Sequence, residues 1–288
     1  MSPLSRLPKF TGRILVTAVL LAAAGLTLLP FLWMICASVK TPQDYYTSQF
    51  LPGGDGLLGV AWERLTLGNF ARLFREQPVA RAVINSVMLS SLCSVLCTLC
   101  CAAGGYALSK FTFRGQRTVT VVILATVVLP PVLLLGPAFE TLYHLGLLDT
   151  YAGFILPTLA PAFGLYLFRQ AMLNSVPSEI IESARIDGCG ETRIFFQIVL
   201  PLVRPMLGAF LIISFIGTWN NFIAPQVILQ DPERHPLSVA IFHLRGLYGA
   251  DYGMIMAATL ISIAPVMALF LFLQREFIAG LTSGAVKG

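Results

Sequence analysis

Charge is what this sequence has least of. Asp, Glu, Lys and Arg make up 11% of its 288 residues, against about 25% in an ordinary soluble domain. At 56% hydrophobic residues and a mean hydropathy of +0.79, the chain holds more apolar surface than one soluble core can bury. The bilayer is the solvent that fits. The formal net charge of +5 does not point to nucleic acid, because the basic residues sit at the ends of apolar runs rather than along one stripe.

Further absences narrow the function. Six stretches, at 14–39, 82–109, 118–139, 150–168, 205–230 and 252–274, contain no Asp, Glu, Lys or Arg. Intramembrane charges mark proton relays, ion paths and voltage sensors, so their absence counts against a transporter driven by an ion gradient. A secondary transporter or channel acting without an ATPase stays as the alternative, since backbone carbonyls can serve sodium. The chain has no G-x-x-x-x-G-K-[ST] loop to cradle ATP. It has no H-E-x-x-H pair and no G-x-S-x-G turn, and His144, His235 and His243 fall far apart. With no convergent catalytic set, it is read as a non-enzyme, without a metal or a cofactor of its own.

The six cysteines form no disulfide framework. Cys93, Cys97, Cys100 and Cys101 share one apolar run, Cys36 lies in another, and Cys189 lies in a polar stretch. Helical spacing places Cys93, Cys97 and Cys100 on one face. With no His or carboxylate beside them, they read as small apolar packing residues.

What is present is a set of spans. Each of the six stretches approaches or exceeds the ~20 residues that cross a bilayer as a helix, so the fold class is all-α integral membrane with six transmembrane helices. The fourth carries Pro157 and Pro161, which should distort it. Arg6, Lys9 and Arg13 precede the first apolar run as in a signal peptide, and Ala22-Ala23-Ala24 imitates a cleavage site. The run continues to Ala37, too long for a signal core, and predicts an uncleaved first helix. Lys and Arg favour the side reached by 110–117 and 169–204 over the side of the basic-free 140–149 loop. The positive-inside rule then puts both termini in the cytoplasm. The expected organisation is 1–81 for the tail, first helix and outer loop, 82–274 for a five-helix core, and 275–288 for a cytoplasmic tail.

The largest cytoplasmic loop, 174–204, is the polar exception. Pro177 suits the first turn of a helix and Ser175 a cap before it. Glu179 and Glu182 fall early, where the helix dipole favours negative charge. Gly188 falls where a left-handed residue would end the helix. A second short helix is expected over about 191–199, closed by Pro201 and Pro205. Two readings fit this pair. One is an amphipathic helix lying on lipid. The other is a docking helix, favoured by the small residues Ser183, Ala184, Gly188, Cys189 and Gly190, which let another protein's backbone approach.

Glu182-Ser183-Ala184, Asp187-Gly188, Ile198 and Leu200-Pro201 resemble the E-A-A … D-G-A … I-x-L-P signature, or EAA loop, of binding-protein-dependent ABC transporter permeases. Ser183 and Cys189 stand where that family usually has alanine, and both are small. Thr218-Trp219-Asn220-Asn221-Phe222, Asp231-Pro232-Glu233, Asn85-Ser86 and the tail from Gly280 to Gly288 look like the sugar branch, the smaller permease subunits of maltose-type and glycerol-phosphate-type importers. The resemblance implies the type I importer permease fold in a prokaryotic cell (inner) membrane. It implies a second homologous permease subunit, two cytoplasmic ATPase subunits carrying ATP and Mg, and an external solute-binding protein. It places Glu182, Ser183, Ala184, Asp187 and Gly188 on the helix that docks the ATPase. Trp219, Asn220 and Asn221, near the middle of the fifth span, become candidates for the path of a sugar, oligosaccharide, polyol or glycerol phosphate. The alternative for the two asparagines is hydrogen bonding to neighbouring helices.

Overall fold

The computed structural model describes residues 9–246 and 251–285. Arg6 of the basic N-terminus and Val286, Lys287 and Gly288 of the tail lie outside them. Among the described residues there is no strand, only an isolated bridge between Gly53 and Val60. In chain order the helices are α1 (Lys9–Ser38), α2 (Pro42–Thr47), α3 (Gly68–Glu76), α4 (Val79–Lys110), α5 (Gln116–Val127), α6 (Leu135–His144), α7 (Tyr151–Ile155) and α8 (Ala162–Ser175). There follow α9 (Ser178–Ile186), α10 (Glu191–Ile194), α11 (Leu200–Leu202), α12 (Arg204–Trp219), α13 (Ile223–Ile228), α14 (Leu237–His243) and α15 (Tyr252–Ala285).

Three helices are long and apolar enough to cross a membrane unbroken: Gly12–Ser38, Val79–Lys110 and Tyr252–Phe272. Three further pairs of helices are long and apolar enough only when each pair is taken as one bent span. Gln116–Val127 meets Pro131–His144 at 105°, Tyr151–Thr158 meets Ala162–Ser175 at 45°, and Glu191–Leu202 meets Arg204–Trp219 at 84°. The expected distortion in the fourth span is there, with Pro161 in extended backbone just before α8. The third span, expected as one helix over 118–139, is the larger surprise. Pro130 precedes Pro131, and a residue before proline is pushed out of the helical region. The first arm stops at Val127, and Pro130, extended with ψ 126°, forms the corner from which the second arm starts. The fifth span is also interrupted: α12 stops at Trp219 and α13 restarts at Ile223.

The described residues form two compact units. In the first, residues up to Gln77 combine with His243–Ile261. Apolar side chains of α1 from Ile14 to Leu32 are exposed around the helix, as expected of a helix solvated by lipid. The connection after α1 is held by buried polar groups. The Lys40 ammonium donates to the Ser48 carbonyl at 2.8 Å, and the Asn69 amide donates to the carbonyls of Ser38 and Lys40, both at 2.8 Å. Buried Asp44 pairs with Arg64.

The second unit comprises Pro78–Phe242 with the chain from Ser262 onward. Its centre is α4 packed against α8 and α12. Small residues permit the close approach. A Cβ on Gly105 would lie 2.6 Å from the Phe168 Cβ and 2.7 Å from the Arg169 nitrogen, so nothing larger fits. Phe168 and Phe210 then meet edge to face at 5.3 Å. The buried sulfurs are those of Cys93, Cys97 and Cys101, while Cys100 is exposed. The packing face therefore follows a strict four-residue step rather than the 93–97–100 set expected from the sequence.

Candidate functional site

The polar loop folds into α9 and a helical run from Glu191, as the sequence suggests, with different ends. Val176 is extended because Pro177 follows it. Pro177 is the last residue before α9 rather than within its first turn, and no side chain caps that end. Ser175 closes α8 instead of capping α9. The second helix does not stop near Val199. It passes through a π-helical turn, Phe195–Val199, and on to Leu202. Helices accommodate irregularities through such π turns, and this one precedes Pro201, which has no N–H to donate.

At its C-terminus α9 is closed by a complete Schellman motif. Gly188 is left-handed, with φ +78°. The Cys189 N–H donates to the Ala184 carbonyl at 2.9 Å and the Gly188 N–H to the Arg185 carbonyl at 3.0 Å, which satisfies the two bonds of that cap. Nothing lies within 4 Å of a Cβ built on Gly188, so glycine is required there by backbone angle alone.

The two faces of α9 differ sharply. Ile181 and Ala184 are buried in a core shared with Tyr106, Met172, Ile194 and Phe195. Glu179, Glu182, Ser183 and Ile186, at i, i+3, i+4 and i+7, lie exposed on the other side, with Ile186 86% exposed. Asp187 and Gly188 continue this exposed surface. The apolar side of α9 is thus already used by the protein's own core. What is exposed on α9 includes two carboxylates, a hydroxyl, two isoleucines, Ile180 and Ile186, and Arg185, whose guanidinium is engaged by Glu191; that set lacks the many basic groups and aromatic anchors of lipid-surface helices.

Four residues that the sequence did not single out for this site brace the corner. Arg185 Nε donates to Glu191 Oε1 at 2.6 Å, and the Tyr106 hydroxyl donates to Glu191 Oε2 at 2.8 Å. The Arg185 guanidinium sits 5.4 Å over the Phe111 ring, and Phe111 meets Tyr106 edge-on at 5.3 Å. Tyr106 falls inside an apolar span and Glu191 six residues beyond Arg185 across a glycine corner, so no periodicity links them. At the other end of α9, Lys110 Nζ donates to the Val176 carbonyl.

The candidates of the fifth span are not brought together with this loop, and they do not lie mid-helix. Trp219 ends α12, and Asn220 and Asn221 form the break before α13. Trp219 is buried and stacks on Phe215 at 5.7 Å, with ring planes 14° apart. Asn220 is exposed. Asn221 Oδ1 accepts from the Ala224 N–H at 3.2 Å, and its carbonyl accepts from the Ser238 hydroxyl at 2.8 Å. The amide of Asn221 therefore caps the next helix.

Residues 99–281 match the family model described as binding-protein-dependent transport system inner membrane component. The chain is 32% identical to the arabinooligosaccharides transport system permease protein AraQ of Bacillus subtilis, over 98% of both chains. It is likewise 32% identical to the lactose transport system permease protein LacG of Rhizobium radiobacter, over 94% of both. In fold it resembles a chain of a bacterial ABC transporter involved in the import of the acidic polysaccharide alginate, at 22% identity. The TM-score is 0.76, with 95% of this chain and 100% of the other covered.

Proposed function

We infer the function of this chain from its kinship: it belongs to the family of binding-protein-dependent transport system inner membrane components. It is a multi-pass membrane protein and a permease subunit of a carbohydrate ABC importer. Within that frame we propose that α9 is the contact through which a separate ATPase drives the permease. The observation that carries this reading is the division of α9 into one face fixed in the protein's own core and one face, Glu182, Ser183, Asp187 and Gly188 with Ile186, left outward on a rigid, capped helix. A helix held in this way transmits rigid-body movement. Ala184 serves on the inner face, where its small side chain lets α9 lie close to the core.

The partners follow the same reading: a second homologous permease subunit completing the pathway, two ATPase subunits that hold ATP and Mg, and an external binding protein that delivers the solute. The orientation proposed is cytoplasmic for both termini and for α9. The names of the relatives favour a di- or oligosaccharide as the solute over a polyol or glycerol phosphate. Purification through a tag on this chain is expected to recover an ATPase and a second permease, and ATP hydrolysis by that complex is expected to rise when sugar-loaded binding protein is added. Solute movement by the purified chain alone, down an ion gradient, would overturn the reading.

A further inference from the structure

Lys110, the last residue of α4, tethers the start of the coupling helix through the Val176 carbonyl; the rest of the helix is attached to its own chain in two different ways. Ile181 and Ala184 make apolar contact, which is non-directional and resists sliding and rotation poorly. The ring formed by Arg185, Glu191, Tyr106 and Phe111 is directional. Both carboxylate oxygens of Glu191 are engaged, one by α9 and the other by α4. Arg185 and Glu191 lie on either side of the Gly188 corner, so the same carboxylate also fixes the angle at which the chain leaves α9. The ion pair keeps more than a third of each side chain exposed, and exposed pairs add little stability. What such a ring fixes is geometry.

We propose that Glu191 is a positioning residue for energy coupling. It is the pin that makes α9 and the cytoplasmic end of α4 move as one body, and Tyr106 is its anchor on α4. The inference rests on the reading of α9 as the ATPase contact. With the ring intact, displacement of α9 is carried into the 32-residue α4. With the ring broken, α9 still presents its outer face and stays tethered at its start by Lys110, but its C-terminal end can swing about Ile181 and Ala184 before α4 follows.

The test uses the complex purified through this chain and reconstituted in lipid vesicles with its binding protein and oligosaccharide. Tyr106→Phe removes one hydroxyl and keeps the ring packing; Glu191→Gln keeps the shape and removes the charge. Each variant is expected to co-purify with the ATPase at the wild-type ratio and to melt at the wild-type temperature. Solute delivered per ATP hydrolysed is expected to fall at least about fivefold, the low end of the usual coupling range. The double variant should be no worse than the poorer single, because both act on one tie. An unchanged ratio of solute to ATP in both variants, or a loss that tracks a lowered melting temperature, overturns the role of Glu191 while leaving the ATPase contact standing. Failure of the wild-type chain to recover an ATPase overturns the underlying reading instead.

Discussion

The side-chain amide of Asn85, near the start of α4, donates to the main-chain carbonyl of Glu233, 148 residues further along, at 2.8 Å. Its second N–H reaches the His235 carbonyl at 3.2 Å, and its oxygen accepts from the Tyr151 hydroxyl at 3.1 Å. The next residue joins in, because Ser86 Oγ accepts from the Leu237 N–H at 2.7 Å. Two short motifs that look unrelated in the sequence, Asn85-Ser86 and Asp231-Pro232-Glu233, thus meet in one clamp. In the proposed orientation the clamp lies on the outer side, where solute is delivered.

Replacement of Asn85 tests the clamp. Both donors of the amide face carbonyls, so Asn85→Asp sets a carboxylate against two carbonyl oxygens. Loss of bonds by a buried polar group costs about 1–3 kcal/mol, and Asn85→Asp is expected to exceed Asn85→Ala. Thermal unfolding of the purified complex and proteolysis of the 229–237 connection should report the same order. Equal melting temperatures for both variants and wild type would remove the clamp from the structural account.

A second member of this region makes it sensitive to acid. Asp149, with φ +54°, accepts from the N–H groups of Asp231 and Gln230, each at 3.0 Å, and pairs with Arg234 at 2.8 Å. The Asp231 N–H first, then the Gln230 N–H and the Arg234 charge, hold its carboxyl below the usual value. A carboxyl depressed in the folded state stabilises at and above its ordinary pKa and loses that contribution as pH falls through the depressed value. Wild type should therefore lose melting temperature below about pH 4 more steeply than Asp149→Asn. Asn tolerates positive φ, which makes it a fair reference. Parallel curves for the two proteins would exclude Asp149 as the titrating group.

Why some of this was legible in sequence and some was not has a physical basis. Crossing number follows from uncharged runs, because lipid excludes Asp, Glu, Lys and Arg residue by residue. Gly188 was legible because a left-handed cap leaves a local mark. The bend at Pro130-Pro131 carries its own mark as well, yet the apolar run on either side hides it from a count of hydrophobic residues. Three spacings were out of reach. Asn85 to Glu233 and Tyr106 to Glu191 are set by how α4 packs with later elements, and Asp149 to Arg234 by how two distant connections meet; no local pattern encodes such distances.

Gly188 offers the sharpest test of the corner. Space for a side chain is open, but a non-glycine residue held left-handed costs about 1–3 kcal/mol, and β-branched residues fare worst. Gly188→Val is expected to distort the Schellman cap, and with it the angle between α9 and Glu191, and to abolish stimulation of ATP hydrolysis by binding protein. Gly188→Asn should keep most of it, since Asn visits this region readily. Wild-type stimulation in the Val variant would sink the corner's role in coupling.

The proposed solute path separates by residue. Trp219 is buried on Phe215, so Trp219→Ala should act chiefly through stability, at about 3–5 kcal/mol for loss of a buried aromatic. Asn221 caps α13, so Asn221→Ala is expected to cost about 1 kcal/mol with a modest effect on transport. Asn220 is exposed in a break between helices, the kind of irregular backbone that lines cavities in membrane proteins. Asn220→Ala is therefore the variant expected to raise the KM for transport with the melting temperature unchanged, while binding of the sugar to the external protein stays the same. If Asn220→Ala leaves transport kinetics untouched, the break between α12 and α13 is a structural joint and the solute passes elsewhere.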